Sequence, residues 1–288
     1  MQDWRKNKLV FAILMAPASF WLILFFTIPL AIVWVYSFGG RGPEGQTLIQ
    51  FSFANYSRAL EWIHLGIIWK SIVIATITTA ACLALGFPLA LAIAFAPSRL
   101  KNVLLLLVIL PFWTNLLIRC YAWMLMLQTT GVLNELLVDW LHVLTAPLPL
   151  MFNLTGVVIG MVHYLVPINI LVLFSVMKAI DLRLLQAAKG LGANPLRAFV
   201  AVFVPLSMPG VRASAMLIFV ISLGFFVTPA LLGGRREITV AMLVSTYFSD
   251  VLNWGFGSAL ATVLLVLSLI GLALYFAFQR KVTPVVPR

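Results

Sequence analysis

The chain has 288 residues, of which 63% are hydrophobic and 9% charged, with a mean hydropathy of +1.09. A soluble domain of this size carries about 25% charged residues, so there are too few charges here to cover a water-exposed surface. The formal net charge of +11 would suit a nucleic-acid binder, but the placement of the bases gives it another meaning.

A hydrocarbon core of roughly 30 Å needs about 20 apolar residues per helix. Six runs meet that need: Leu9–Phe38, Ile67–Ala96, Val103–Leu127, Asn153–Met177, Met208–Leu232 and Phe256–Phe278. Backbone polar groups in lipid must be satisfied within a helix or a closed barrel. None of these runs alternates polar and apolar residues as barrel strands do. The sequence therefore predicts an all-α polytopic membrane protein with six transmembrane helices.

The first run follows Arg5, Lys6 and Lys8 and contains Ala16-Pro17-Ala18, the elements of a secretory signal. A signal core stops after about 7–15 residues, whereas this run continues to Phe38 and reads as an uncleaved anchor. Cys82 and Cys120 fall inside the second and third runs, where they read as helix-packing residues rather than a disulfide or a metal pair. The third run carries Thr114, Asn115 and Arg119, the fourth His163 and Asn169, and the fifth Thr228. Buried polar residues in spans are costly, which makes each a candidate for the translocation path; inter-helix hydrogen bonding is the alternative for each. Arg119 would repel a cationic solute and suits either pairing with an outer acid such as Glu135 or Asp139 or anchoring its helix near the headgroups. Pro88, Pro111, Pro167, Pro205 and Pro229 are expected to kink or end spans.

The charges set the orientation. The N-terminus, the 97–102 loop, the segment 178–212 and the C-terminal tail together hold thirteen bases and two acids; the opposite loops hold six of each. The positive-inside rule makes the basic face cytoplasmic. Both termini are then inside, and Trp34, Trp62, Trp69, Trp123, Trp140 and Trp254 lie near the outer interface as an aromatic belt.

None of the eight acids is in mid-span, unlike the carboxylates of proton-coupled carriers, and no G-x-x-x-x-G-K-[ST] loop is present. Any ATP must be hydrolysed on another chain. Only His163 of the three histidines is deep in a span, without carboxylate or cysteine at metal-ligand spacing, and Ser258 after Gly257 reads as a packing pair. No catalytic residue, cofactor or metal is assigned.

Between the fourth and fifth runs lies a basic segment spelling two short helices and a corner. Asp181 is a candidate N-cap, Leu182–Leu191 contains good helix formers, and Gly192 can take the left-handed conformation that ends a helix. Asn194 then caps a second helix opened by Pro195. Arg183, Gln186 and Lys189 form a polar row, and Leu184, Ala188 and Leu191 an apolar one. A helix lying on lipid headgroups would show that pattern too, but Ala187 and Ala188 are small enough to enter a cleft on a partner.

The pattern Gln186-Ala187-Ala188-x3-Gly192-x9-Val202-x-Val204-Pro205 resembles the EAA loop of ABC importer permeases of the binding-protein-dependent, type I (MetI-like) family, written EAA-x3-G-x9-I-x-LP. The departures are Gln186 for Glu, which removes a charge, and Val for Ile and Leu. Two further stretches, Pro111 to Trp123 (PFWTNLLIRCYAW) with Gly131 to Asn134 (GVLN), and Gly224 to Gly234 (GFFVTPALLGG), are similar to the spermidine/putrescine group of that family. The resemblance implies a permease domain over 67–279. It is preceded by a stub, first helix and external loop over 1–66 and followed by a tail over 280–288. It implies a coupling loop over 181–205 in which Arg183, Gln186, Ala187, Ala188, Lys189, Gly192 and Pro205 meet an ATPase subunit, present in two copies. It also implies a second permease of similar fold, an external or periplasmic solute-binding protein, and residence in a bacterial inner membrane. A different small solute, such as an opine, an amino-acid derivative or a metal complex, and a stand-alone channel are the alternatives.

Overall fold

The computed structural model describes residues 8–42, 47–48 and 50–282. In chain order its helices are α1 (Lys8–Leu22), α2 (Ile28–Ser37), α3 (Ala54–Ala59), α4 (Trp62–Phe95), α5 (Ser98–Ile109), α6 (Leu116–Leu127), α7 (Val132–Glu135), α8 (Leu154–Met177), α9 (Arg183–Gly190), α10 (Pro195–Ala198), α11 (Val204–Leu223), α12 (Val227–Leu232), α13 (Val240–Ser249) and α14 (Trp254–Val282). Among the described residues, one β-ribbon pairs Gly40 with Leu48 and Arg41 with Thr47. Among the described residues, six segments are long and apolar enough to cross a membrane: Val10–Ser37, Trp62–Phe95, Leu116–Trp140, Leu154–Met177, Pro195–Leu223 and Trp254–Ala277. Asp3, Arg5, Lys6, Glu44 and Arg288, all used in the charge argument, lie outside the described residues.

Four of these segments match the expected runs within a few residues, and two do not. The run Val103–Leu127 is not one helix. α5 and α6 have 12 residues each, about 18 Å apiece at 1.5 Å per residue, and the chain between them breaks at Thr114 and Asn115. Pro111 tightens the end of α5 into a 3-10 turn, Leu110–Trp113. Asn115 then takes an extended conformation and caps α6 by accepting from the Leu117 N–H. The stretch 116–140 has the length and apolarity of a span, yet it also turns, at Gln128–Gly131. Phe112 and Arg119 both lie against the Tyr164 ring and Trp123 against His163 beside it, so the end of α5 and α6 pack on one level of α8. The fifth run also differs from expectation. It starts earlier, with α10 joined to α11 through a π-helical turn at Phe199–Phe203, and ends at Leu223. Thr228 therefore lies on the separate short helix α12, beyond a turn at Gly224–Phe226.

The chain divides into two compact units, residues 1–65 with 243–265, and residues 66–242 with 266–288. In the first, Ala59, Phe256 and Leu260 form a small core with Leu243 and Tyr247 around it, and the Arg58 guanidinium lies 4.3 Å from the Phe256 ring centroid. Asn55 Nδ2 donates to the carbonyls of Ser37 (3.0 Å) and Gly39 (2.7 Å). Gly255 permits that close approach, since a Cβ there would lie 2.5 Å from the Gly39 oxygen.

In the second unit α8 is the central helix. Its apolar window is 56% buried, against at most 33% in any other segment. Lipid offers no hydrophobic drive for helix pairing, so association depends on close packing by small residues and on hydrogen bonds between helices. Both occur between α8 and α11. Gly210 lets the helices approach until a Cβ there would meet the Val176 Cβ at 2.8 Å, and Asn169 Nδ2 donates to Ser214 Oγ at 2.8 Å. Pro88 and Pro167 are accommodated inside α4 and α8, and Pro205 sits at the start of α11. At one end of the unit a larger cluster joins Ala90 and Ile93 of α4, Ile170, Leu173, Phe174 and Met177 of α8, and Phe203. Cys82 packs with Val162, Leu165 and Ile218.

Because Val176 is β-branched and its Cβ cannot rotate away, Gly210→Val should separate α8 from α11 at a cost of about 1–3 kcal/mol. The expected result is a lower melting temperature of the purified protein in detergent. Gly66→Ala, at a position with nothing within 4 Å of an added Cβ, should leave it unchanged or slightly raised.

Candidate functional site

The segment 181–205 folds as its residues dictate. Asp181 Oδ1 accepts from the Arg183 N–H at 2.9 Å, which satisfies one of the free donors at the start of α9. The helix ends at Gly190, where the Leu191 N–H reaches the Ala187 carbonyl at 3.1 Å. Gly192 has φ +88°, the left-handed region that a residue with a Cβ enters only with strain. It reverses the chain so that the Ala193 N–H donates to the Ala188 carbonyl at 3.1 Å. Asn194 Oδ1 then accepts from the Arg197 N–H at 2.7 Å, and Pro195 opens α10.

Which face of α9 is covered differs from the expected apolar row. Leu185 is half-buried against the cluster around Phe174, Met177 and Phe203. Ala188, three residues on and on the same helix face, is also half-buried. By contrast Leu184 is 48% and Leu191 90% exposed. Arg183, Gln186, Ala187 and Lys189 are exposed beside them. The reason is the entry angle. Phe199 and Phe203 stack at 5.3 Å on the side that Leu185 meets, which turns Leu184 and Leu191 outward. Ala187 is thus the more exposed of the two small residues, with Ala188 half-buried. The outer face combines Leu182, Leu184, Leu191 and Leu196 with Arg183, Lys189 and Arg197, all exposed.

The polar span residues fall into two places. Thr114, Arg119, His163 and Thr228 gather where α6, α8 and α12 meet. Arg119 Nη2 donates to the Thr114 carbonyl at 3.1 Å, while Thr114 Oγ1 donates to the Pro111 carbonyl at 2.7 Å. The Arg119 guanidinium carbon lies 5.0 Å from the Tyr164 ring centroid, a cation–π distance. Nε and Nη1 of Arg119 are buried without a hydrogen-bond partner. Among the described residues no carboxylate comes within 4.0 Å of Arg119, so the expected pairing with Glu135 or Asp139 is not formed. His163 meets Trp123 edge to face at 5.4 Å, and Thr228 Oγ1 is 3.6 Å from Cys120 Sγ. Asn115 is taken up as the α6 cap and does not share a helical face with Arg119. Asn169 is separate, fully buried between α4, α8 and α11, with its Oδ1 unpartnered.

Sequence reasoning missed Leu185, Phe199 and Phe203 as the seat of the loop, although a three- to four-residue apolar spacing was there to be read. Arg212, counted among the bases of the 178–212 segment and also within the fifth apolar run, sits inside α11.

A family model described as "Binding-protein-dependent transport system inner membrane component" matches residues 84–284. The spermidine/putrescine transport system permease protein PotB of Escherichia coli (strain K12) is 35% identical over 260 residues, covering 90% of this chain and 94% of that protein. PotB of Haemophilus influenzae is 36% identical over 256 residues, covering 89% of each. Among solved structures, a bacterial alginate ABC transporter in complex with an alginate pentasaccharide-bound periplasmic protein aligns with TM-score 0.73 at 15% identity. That alignment covers 98% of this chain and 97% of that one. The MetNI methionine ABC transporter in inward-facing form aligns with TM-score 0.61 at 14% identity, covering 77% and 97%. Both share the fold. The chain thus belongs to the binding-protein-dependent transport system inner membrane component family, as a multi-pass inner-membrane permease subunit of an ABC importer that carries no catalytic machinery of its own.

Proposed function

We propose that this permease imports polyamines of the spermidine/putrescine class and that residues 181–205 couple its spans to ATP hydrolysis on a partner chain. The cargo rests on the similarity to the PotB proteins over nine-tenths of the chain. One observation carries the coupling reading. α9 is held by Leu185 on the cluster that also joins α4, α8 and the start of α11, while its outer face is left open with leucines and bases. A force on that face is passed to three spans through packed side chains that resist compression. With the basic face inside, the loop faces the cytoplasm, where two ATPase copies would engage this loop and its counterpart on a second permease of similar fold. A periplasmic solute-binding protein would deliver cargo from the other side, and the permease domain would occupy 67–279. Thr114, Asn115, Arg119, His163, Asn169 and Thr228 remain the candidate path residues, with the Arg119–His163–Tyr164–Trp123 group the place where aromatic faces could receive an ammonium group.

A second cargo is favoured by one observation. The buried, unpartnered Nε and Nη1 of Arg119 suit a carboxylate, which an opine or amino-acid derivative would supply and a polyamine would not.

Uptake separates the two. Cells lacking their own polyamine importers, given this chain with its operon partners, should regain ATP-dependent spermidine or putrescine uptake. Uptake of a carboxylated solute with neither polyamine would transfer the assignment to the second cargo.

The coupling reading predicts a graded series. Gly192→Val forces a Cβ into the left-handed region at roughly 1–2 kcal/mol, and Ala187→Trp adds bulk to the open face. Both should leave the chain inserted yet abolish uptake and reduce ATPase co-purification. Gln186→Glu should be tolerated, and Gln186→Leu should impair transport. Wild-type uptake by both Gly192→Val and Ala187→Trp would remove the loop from the coupling role.

A further inference from the structure

The second unit contains an open-sided cavity of about 620 Å³ between α4, α11 and α14, lined by residues including Thr76, Thr79, Arg212, Ala215, Phe219 and Gly271. That volume is within the range of small-molecule sites, and its walls are almost wholly apolar. The two threonine hydroxyls are already used, donating to the carbonyls of Ile72 and Ala75 at 2.7 Å each. Arg212 is the one charged residue of the lining. Among the described residues it has no hydrogen bond, ion pair or aromatic partner, and it does not belong to the Arg119 group.

A guanidinium at membrane depth is costly unless an anion or water meets it. Arg212 lies eight residues along α11 from Val204, about 12 Å. Side chains on a helix lean back toward its N-terminus, so the long Arg212 stem is directed toward the loop end of the unit, where a headgroup layer begins. We propose that this cavity is a binding site for an anionic phospholipid of the inner leaflet, its phosphate on Arg212 and an acyl chain along the apolar wall. Basic pockets between transmembrane helices on the cytoplasmic side recognise such headgroups. A zwitterionic lipid would fit the wall equally well but brings a compensating positive charge. The assignment rests on the orientation proposed above, which ATPase association with the loop tests separately. It does not depend on the cargo.

The test is lipid retention by the purified importer complex, read by native mass spectrometry after exchange into detergent micelles containing cardiolipin and phosphatidylcholine in equal amounts. Wild type should retain cardiolipin in preference by about fivefold or more. Arg212→Gln should bring the two lipids to parity, Arg212→Lys should keep the preference, and Ala215→Trp should reduce retention of both by filling the cavity. Equal retention of the two lipids by wild type, or an unchanged preference in Arg212→Gln, would overturn the site. So would a photo-cross-linker at Leu83, which also lines the cavity, that captures another polypeptide of the assembled complex instead of lipid.

Discussion

Phe203 is fully buried where three spans end, and the geometry of the loop depends on how it is held. Its ring lies 5.3 Å from Phe95 at the end of α4 and 5.3 Å from Phe199 one turn earlier. It shares its cluster with Phe174 and Met177 at the end of α8. The π-helical turn Phe199–Phe203 inserts extra backbone at this point, so that α10 can run on into α11 while Phe203 points into the cluster. π-turns inside helices often mark functional positions. Leu185 of α9 completes the contact. Packed interiors shift between arrangements rather than compressing, so a displacement of α9 has to be taken up by the ends of α4, α8 and α11 together.

Elsewhere in the second unit, polar and small residues hold helices that lipid would not drive together. The Asn169–Ser214 hydrogen bond and the glycine contacts at Gly160 and Gly210 all lie along α8. A Cβ at Gly160 would come within 2.4 Å of Leu232 and 2.6 Å of Thr228, so α8 contacts α12 as closely as it does α11. The break at Thr114–Asn115 leaves α6 attached to α8 through Tyr164 and His163, and to α12 through Cys120 and Thr228. The group around Arg119 and the cluster around Phe203 are thus both seated on α8, at His163–Tyr164 and at Ile170–Met177.

Much of this was legible in the sequence where the signal is local. Long apolar runs gave four spans to within a few residues because bilayer thickness sets helix length. Asp181, Gly192 and Asn194 gave the caps and the corner because capping chemistry is specific to a few residue types. The misreadings have physical reasons too. Apolarity cannot distinguish one long helix from two short ones, and only Asn115's use as a cap reveals the break after Pro111. The fifth span begins earlier than its apolar run because Pro205 does not end the helix: α10 continues through the π-helical turn Phe199–Phe203 into α11. The covered face of α9 was not legible because Leu184 and Leu185 are both apolar, and tertiary contact with the cluster of Phe199 and Phe203 chooses between them.

The most direct measurement is site-specific photo-cross-linking in assembled complexes. A photoreactive residue replaces Leu191, 90% exposed on the loop, or Phe51, 83% exposed between the first two spans. The account predicts a covalent adduct with the ATP-hydrolysing subunit from position 191 and none from position 51. Adducts with that subunit from position 51, or none from position 191 in a complex that still hydrolyses ATP and transports, would contradict it.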